Sequence, residues 1–233
     1  VKPAQRVDGQ LGGEQTDNSN SFPVPTMPLA CYNGFEYPLP LAGEVQFSNS
    51  ALAIEAIECL RQQGWSIADA AVQKGMANAK WPGRLQWVKL DGDRPLLVDG
   101  AHNVASAQAL RQYVDTLTPA PQPIAWVAGM LSTKDCKGIL RALLRSGDRL
   151  YLVPVPGHGS ADVTELAQLA REICPQLTHC QIYHDLSEGL KAAIVEETLT
   201  VLCGSLYLVG HFFQQLKGSI QVAEEIPLPS PLK

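Results

Sequence analysis

Between Trp81 and Asn103 the chain reads Trp-Pro-Gly-Arg, then a short amphipathic run, then Pro95-Leu96-Leu97-Val98 leading straight into Asp99-Gly100-Ala101-His102-Asn103. An apolar strand that ends in a carboxylate, a glycine, an imidazole and a helix-capping amide is how open α/β sheets build a ligand crevice at their strand tips. This one stretch therefore constrains both the fold and the place where a ligand would sit.

The rhythm after residue 80 agrees with it. Strands are expected at 85–89, 96–98, 124–128, 149–153, 179–183 and 200–202, and helices at 103–117, 135–144, 163–173, 186–196 and 208–216. Short Val/Ile/Leu runs alternating with helices of about ten residues predict parallel βαβ units joined by right-handed crossovers. The expected fold class is α/β, a Rossmann-like, mostly parallel sheet with flanking helices.

The first third reads differently. Residues 1 to about 28 are rich in Gly, Gln, Asn, Ser and Pro, with too little apolar periodicity to offset their ordering entropy, and predict a loose arm. Pro38 and Pro40 interrupt an apolar stretch over 35–46, which suits an extended edge piece. Ser48 or Asn49 is expected to cap a helix that runs to about Gln63 and ends at Gly64. Ser66-Ile67-Ala68-Asp69 resembles a capping box opening a second helix to about Ala79, and Pro82-Gly83 then breaks the chain near a domain boundary.

Composition narrows the function classes. The 233 residues are 45% hydrophobic and 18% charged, enough to bury a full core. A net charge of −5 offers no uniform basic surface for phosphate backbones, so nucleic acid is not an expected partner, and an anionic ligand needs a local cluster. The six cysteines (Cys31, Cys59, Cys136, Cys174, Cys180, Cys203) contain no C-x-x-C pair and read as reduced thiols of a cytoplasmic protein. No run of roughly 18 apolar residues and no signal-peptide pattern occurs, so no membrane association is expected. Neither G-x-x-x-x-G-K-[ST] nor G-x-G-x-x-G is present.

Several residues can carry chemistry. Asp99 should emerge at the carboxyl edge of the sheet, either to accept from a sugar hydroxyl or to serve as a structural cap, and Gly100 would let a ligand approach the backbone. His102 has three readings: ligand contact, proton shuttle, or polar turn residue. Asn103 is assigned to capping the next helix. Arg84, two residues after a stiffening proline, is either a bidentate clamp for phosphate or carboxylate or a surface arginine; a hairpin would bring it to the rim that holds Asp99. Further loops of the same kind are 129–135, with Lys134 and Asp135, and Gly204-Ser205-Leu206-Tyr207, whose serine and amides would suit a small carboxylate. His158, in Pro156-Gly157-His158-Gly159-Ser160, is expected to be an ordinary loop residue.

Five pieces occur in an order that resembles the folate-type branch of the Mur ligase superfamily, the bifunctional dihydrofolate synthases and folylpolyglutamate synthases. They are Leu41-Ala42-Gly43 with Gln46 and Asn49, Trp81-Pro82-Gly83-Arg84-Leu85, Asp99-Gly100-Ala101-His102-Asn103, Lys134-Asp135, and Gly204-Ser205-Leu206-Tyr207. The resemblance implies that 1–34 is a flexible arm or loop, 35–80 the end of a central ATPase domain, 81–226 the C-terminal domain and 227–233 a tail. It implies ATP-dependent joining of L-glutamate to dihydropteroate or folate through an acyl phosphate, with Arg84 and Asp99 on the nucleotide. His102 would be catalytic and, with Ser205, near the glutamate, while Gln46 and Asn49 belong to the pattern where the two domains meet. ATP and Mg²⁺ are implied, the metal ligands being expected mainly in an absent N-terminal part and none in this chain, and the protein is expected to be a monomer. Two departures stand out: Val104 replaces the usual proline after Asn103, and the P-loop half is missing, so that the chain reads as an inactive fragment beginning at Val1. The alternatives are a Mur ligase acting on peptidoglycan precursors and a non-catalytic nucleotide-binding module.

Overall fold

The computed structural model describes residues 1–7, 28–90, 94–117, 123–194 and 198–219. They form two compact units, one of Val1–Pro82 and one beginning at Gly83.

In the first unit β1 (Gln5–Val7), β2 (Leu29–Tyr32) and β3 (Phe35–Pro38) make an antiparallel sheet in that order. Asn33 and Gly34, both at positive φ (50° and 80°), form the two-residue turn between β2 and β3, the Asn-Gly chemistry that tight hairpins require. Ala30, Tyr32 and Tyr37 form one buried cluster with Phe47, Ala51 and Ile54 of α1 (Val45–Gln62) and Val72 of α2 (Asp69–Ala77). The arm expected over 1–34 is therefore corrected for its two ends, which are strands. Their partners are far apart in sequence, Gln5 opposite Cys31, so no local pattern announces them. The rest of that arm, 8–27, and the expected tail, 227–233, lie outside the described residues.

Two boundaries also move. The extended piece expected to Gln46 ends at Pro38, and α1 starts at Val45, ahead of Ser48 and Asn49, because Gln46 and Phe47 donate back to the Gly43 and Glu44 carbonyls. Burial of Phe47 favours that early first turn. The second helix starts at Asp69 rather than Ser66, with Ala68 at its N-cap and no side-chain cap; Arg61 instead holds this entry, donating to the Ile67 carbonyl and the Asp69 carboxylate.

The second unit is a six-stranded sheet in the order β4-β5-β9-β6-β7-β8. Here β4 is Gln86–Leu90, β5 Arg94–Val98, β6 Ala125–Ala128, β7 Arg149–Leu152, β8 His179–Ile182 and β9 Thr200–Cys203. Only β4 is antiparallel, forming a hairpin with β5, and β9 inserts between β5 and β6. The helices are α3 (Val104–Leu117), α4 (Cys136–Leu143), α5 (Val163–Ile173), α6 (Leu186–Ile194) and α7 (Leu206–Ser219). The expected class is the one found.

The pleat divides the core by alternation. Val88, Leu96, Val98, Val127, Tyr151 and Leu202 face Leu186 and Leu190 of α6 and Leu208, Val209 and Phe212 of α7. Leu97, Trp126, Leu150 and Val201, fully buried between them in register, turn to the other face, where Arg111 of α3 lies 5.8 Å from the Trp126 ring and α3, α4 and α5 pack in succession. At the lower rim of that face Asp148, 1% exposed, accepts from Arg111 Nη1 (2.7 Å), Trp126 Nε1 (3.0 Å) and the Ile124 and Arg145 amides (3.0 Å each). Four donors on two oxygens compensate its desolvation.

Candidate functional site at the strand tips

Because β5 to β9 run parallel, their carboxyl ends share one edge, and antiparallel β4 begins there. The turn before β4 and the loops after β5, β6, β7 and β9 are thereby delivered to one rim, which is where ligands bind in open α/β sheets.

The first two are locked together by Asp99. Its carboxylate, 5% exposed, accepts from the Leu85 amide (2.9 Å) and the Ala101 amide (2.8 Å), while the Gly100 amide donates to the Gly83 carbonyl (2.8 Å). Leu85 sits at φ 43°, a left-handed conformation unfavourable for its side chain, and its buried hydrogen bond holds it there. Burial pushes the Asp99 carboxyl above its usual range; the Leu85 amide, the Arg84 charge, the Ala101 amide and His102 oppose that rise. Arg84, half-buried, makes no hydrogen bond or ion pair among the described residues, so its guanidinium is anchored at its base and open at its head. The expected pairing of Arg84 and Asp99 on one rim is present in this form. The carboxylate's first duty is to the turn.

His102 is held by its own backbone. Its Nδ1 lies 2.9 Å from the Gly100 carbonyl, which can only accept, so the neutral ring carries its proton on Nδ1 and presents the Nε2 lone pair. The Asn103 side chain accepts from the Ser106 amide (2.9 Å), and Ser106 Oγ accepts from the Asn103 amide (3.2 Å), a reciprocal cap that fixes the start of α3 directly after the imidazole. A Cβ at Gly100 would collide with Cδ2 of the partly exposed Leu206, whose side chain packs over the glycine from the first turn of α7.

Ser205 is 2% exposed and its Oγ accepts from the Tyr207 amide (3.2 Å), which makes it the cap of α7. The preceding Gly204 has φ 103°, and its amide donates to the Ala101 carbonyl (2.9 Å); a Cβ there would lie 2.5 Å from the Gly129 carbonyl oxygen. The tips of β5, β9 and β6 touch through glycines. Asp135 caps α4 by accepting from the Gly138 amide (2.9 Å), and Lys134 makes no side-chain hydrogen bond or ion pair among the described residues.

His158 contributes more than an ordinary loop residue. Its ring stacks on Tyr207 with centroids 3.6 Å apart, and its loop is joined to the β6 loop by the Ser132 amide and hydroxyl donating to the Gly159 carbonyl (2.9 and 3.1 Å) and the Ala161 amide donating to the Met130 carbonyl (2.8 Å). The sequence signal was its place after an apolar strand; the partner 49 residues on (207 − 158) was invisible. Gln46 and Asn49 lie in the first unit, where Asn49 Nδ2 donates to Gln46 Oε1 (3.0 Å). No group of three His, Cys, Asp or Glu side chains suited to a metal ion exists among the described residues.

Comparison with known proteins matches residues 86–215 to the family model for the dihydrofolate synthetase C-terminal domain. The chain belongs to that family. The match runs from the first residue of β4 into α7, so the dihydrofolate synthetase domain takes in Asp99, His102, His158 and Ser205, and Arg84 lies two residues before it. The chain is 32% identical over 212 residues to a probable dihydrofolate synthetase of Schizosaccharomyces pombe, covering 88% of this chain and 50% of that protein. It is 33% identical over 184 residues to a folylpolyglutamate synthase of Lacticaseibacillus casei, covering 77% and 40%. The chain thus spans about half the length of the curated relatives it matches. Among solved structures, Mycobacterium tuberculosis folylpolyglutamate synthase complexed with ADP and AMPPCP superimposes with a TM-score of 0.69 at 24% identity, over 86% of this chain and 47% of that one. At that identity the likeness speaks for the fold. No helix of the described residues is long and apolar enough to cross a membrane.

Proposed function

We propose that this chain forms the C-terminal half of an ATP-dependent ligase that joins L-glutamate to dihydropteroate or folate. The observation that carries the reading is the placement, on one sheet edge, of an anchored but unpaired Arg84 and a His102 ring whose Nδ1 is engaged and whose Nε2 is open.

The chemistry has two steps. A pteroate or folate carboxylate oxygen attacks the γ-phosphorus of ATP and ADP leaves; the glutamate amine then attacks the acyl carbon, phosphate leaves and an amide forms. A carboxylate is a poor electrophile until that leaving group is attached, and an ammonium is no nucleophile until it loses a proton. Arg84 suits the phosphate charge, its fork held by the Asp99-pinned turn. Any nucleotide contact by Asp99 itself is secondary to that hold. His102 Nε2 is the acceptor for the proton of the entering ammonium. Ser205 fixes the first turn of α7 beside it, leaving its hydroxyl proton for a glutamate carboxylate. Mg²⁺ would neutralise the transferring phosphate, and no step is assigned to it on these residues. Gln46 and Asn49 remain candidates for the junction with the ATPase domain.

The test is to express the chain within a full-length protein and supply ATP, dihydropteroate and L-glutamate. Release of ADP that depends on both co-substrates supports the reading; ligation only with peptidoglycan precursors, or nucleotide binding without turnover, would replace it.

A further inference from the structure

We propose that the outward face of α1 is the docking surface for the half of the polypeptide that the relatives possess and this chain does not span. The proposal rests on one part of the functional reading, that this chain is half of a longer protein, and not on the chemistry assigned to the strand tips. The two relatives are spanned over only 50% and 40% of their length, so a large body of polypeptide has to find a seat on these residues.

α1 is built to be covered on two opposite sides. Inward, Phe47, Ala51 and Ile54 are buried in one cluster with Tyr37 of β3 and Val72 of α2. Outward, Val45, Asn49, Leu52, Ala56, Cys59 and Gln63 recur at intervals of 4, 3, 4, 3 and 4 residues, which lines them up as one stripe along the helix. All six are exposed, Val45 at 47% and Leu52 at 55%. The charged residues of the helix lie off this stripe and are bound to groups of their own unit: Glu55 accepts from Tyr32 Oη (2.7 Å), and Arg61 pairs with Glu58 (2.6 Å) and Asp69 (2.7 Å). A helix that meets water on one side carries charge there, whereas one without charge on either side belongs between two layers. Leu60 and Trp65, 37% and 63% exposed, carry the uncovered apolar surface past the end of the helix.

The size of the stripe selects the occupant. Eighteen residues at 1.5 Å each give a face about 27 Å long and about 10 Å wide, roughly 300 Å², well short of the ~800 Å² per partner that a stable complex of separate chains buries. A second copy seated on this stripe alone would therefore not hold. A segment of the same polypeptide needs no such area, because covalent linkage keeps it at high effective concentration. Ala56, at the middle of the stripe, leaves room for the covering backbone to come close.

Cys59 reports on the face directly. The native 233-residue chain and the full-length protein are labelled with a maleimide and the modified cysteines are read by mass spectrometry, with buried Cys203 as the internal control. Cys59 should react readily in the chain and roughly tenfold or more slowly in the full-length protein. Leu52→Glu, at an exposed position of the chain, should leave the chain's thermal midpoint unchanged and lower that of the full-length protein by roughly 5 °C or more, since there the new carboxylate is buried. Equal labelling of Cys59 in the two proteins, an equal effect of Leu52→Glu on both, or a dimer of the chain that Leu52→Glu dissociates would each overturn the proposal. None of these measurements uses nucleotide, pteroate or glutamate. Protection of Cys59 without ligation would sink the ligase reading and leave this one standing, and ligation with Cys59 fully reactive would do the reverse.

Discussion

The amide of Leu85 donates to Asp99 Oδ2 across 2.9 Å, and this bond joins the start of an antiparallel edge strand to the tip of its parallel neighbour. It determines where the Arg84 guanidinium is held, and it explains why a leucine tolerates φ 43°.

Removing that carboxylate leaves two buried N–H groups, of Leu85 and Ala101, without acceptors. At roughly 1–3 kcal/mol for each orphaned donor, Asp99→Ala should cost about 2–6 kcal/mol in urea unfolding, and Asp99→Asn, which keeps one acceptor oxygen, about half as much.

The same residue sets a pH signature. Its carboxyl pKa is raised in the fold, so relative to the unfolded chain the folded state binds the proton more tightly, and its contribution is present below the ordinary value of 3.8 and lost as pH rises through the folded value. The stability difference between wild type and Asp99→Asn should therefore shift in favour of the variant as pH increases from about 3 to 7. A shift in favour of wild type over that range would show that the amide bonds outweigh burial.

Arg84→Ala should cost no more than about 1 kcal/mol in folding, since the side chain makes no hydrogen bond among the described residues and loses only its charge interaction with Asp99. On the proposed function, Arg84→Ala in the full-length protein should raise KM for ATP or lower kcat at least tenfold, and Arg84→Lys should restore only part, because a point charge cannot make the two parallel bonds of the fork.

His102→Asn retains an N–H able to reach the Gly100 carbonyl and removes Nε2. Turnover should fall by about 10²–10⁴ with KM for ATP unchanged, and the loss should shrink as pH rises and the free amine becomes more abundant. An unaltered kcat would reduce His102 to a turn residue.

Far from the tips, Asp148→Ala should cost about 3–5 kcal/mol in denaturant unfolding, since it orphans the Trp126 Nε1 and the Ile124 and Arg145 amides and leaves buried Arg111 with only the half-exposed Asp115 as an ion partner. Replacing both, as Arg111→Met with Asp148→Asn, should cost less than the single change.

The second unit was legible because its apolar runs and helical periods are local patterns. The wholly buried β6 and β9 gave themselves away as continuous Ala/Trp/Val and Thr/Val/Leu/Cys stretches, while β1 and β2, three and four residues long and paired across 8–27, did not. Arg84, Asp99, His102 and Ser205 lie at the sheet edge where the sequence pattern puts them, but the duties of Asp99 and Ser205 toward backbone amides depend on distances that spacing does not encode. His158 on Tyr207 and Asp148 beneath Arg111 were missed for the same reason: each pairing joins separate βα units.

By itself the sequence determined the α/β class, the carboxyl edge as the place of the candidate site, and the residue types delivered there, because periodicity, proline and glycine act within a few residues of themselves. Tertiary structure alone decided that β9 lies between β5 and β6, that Gly204 sits against the Gly129 backbone where a Cβ has no room, and that Asp99 holds the Arg84 turn through the backbone. Those outcomes follow from which strands become neighbours, a choice made by burial of the whole sheet's two faces and not by any one segment.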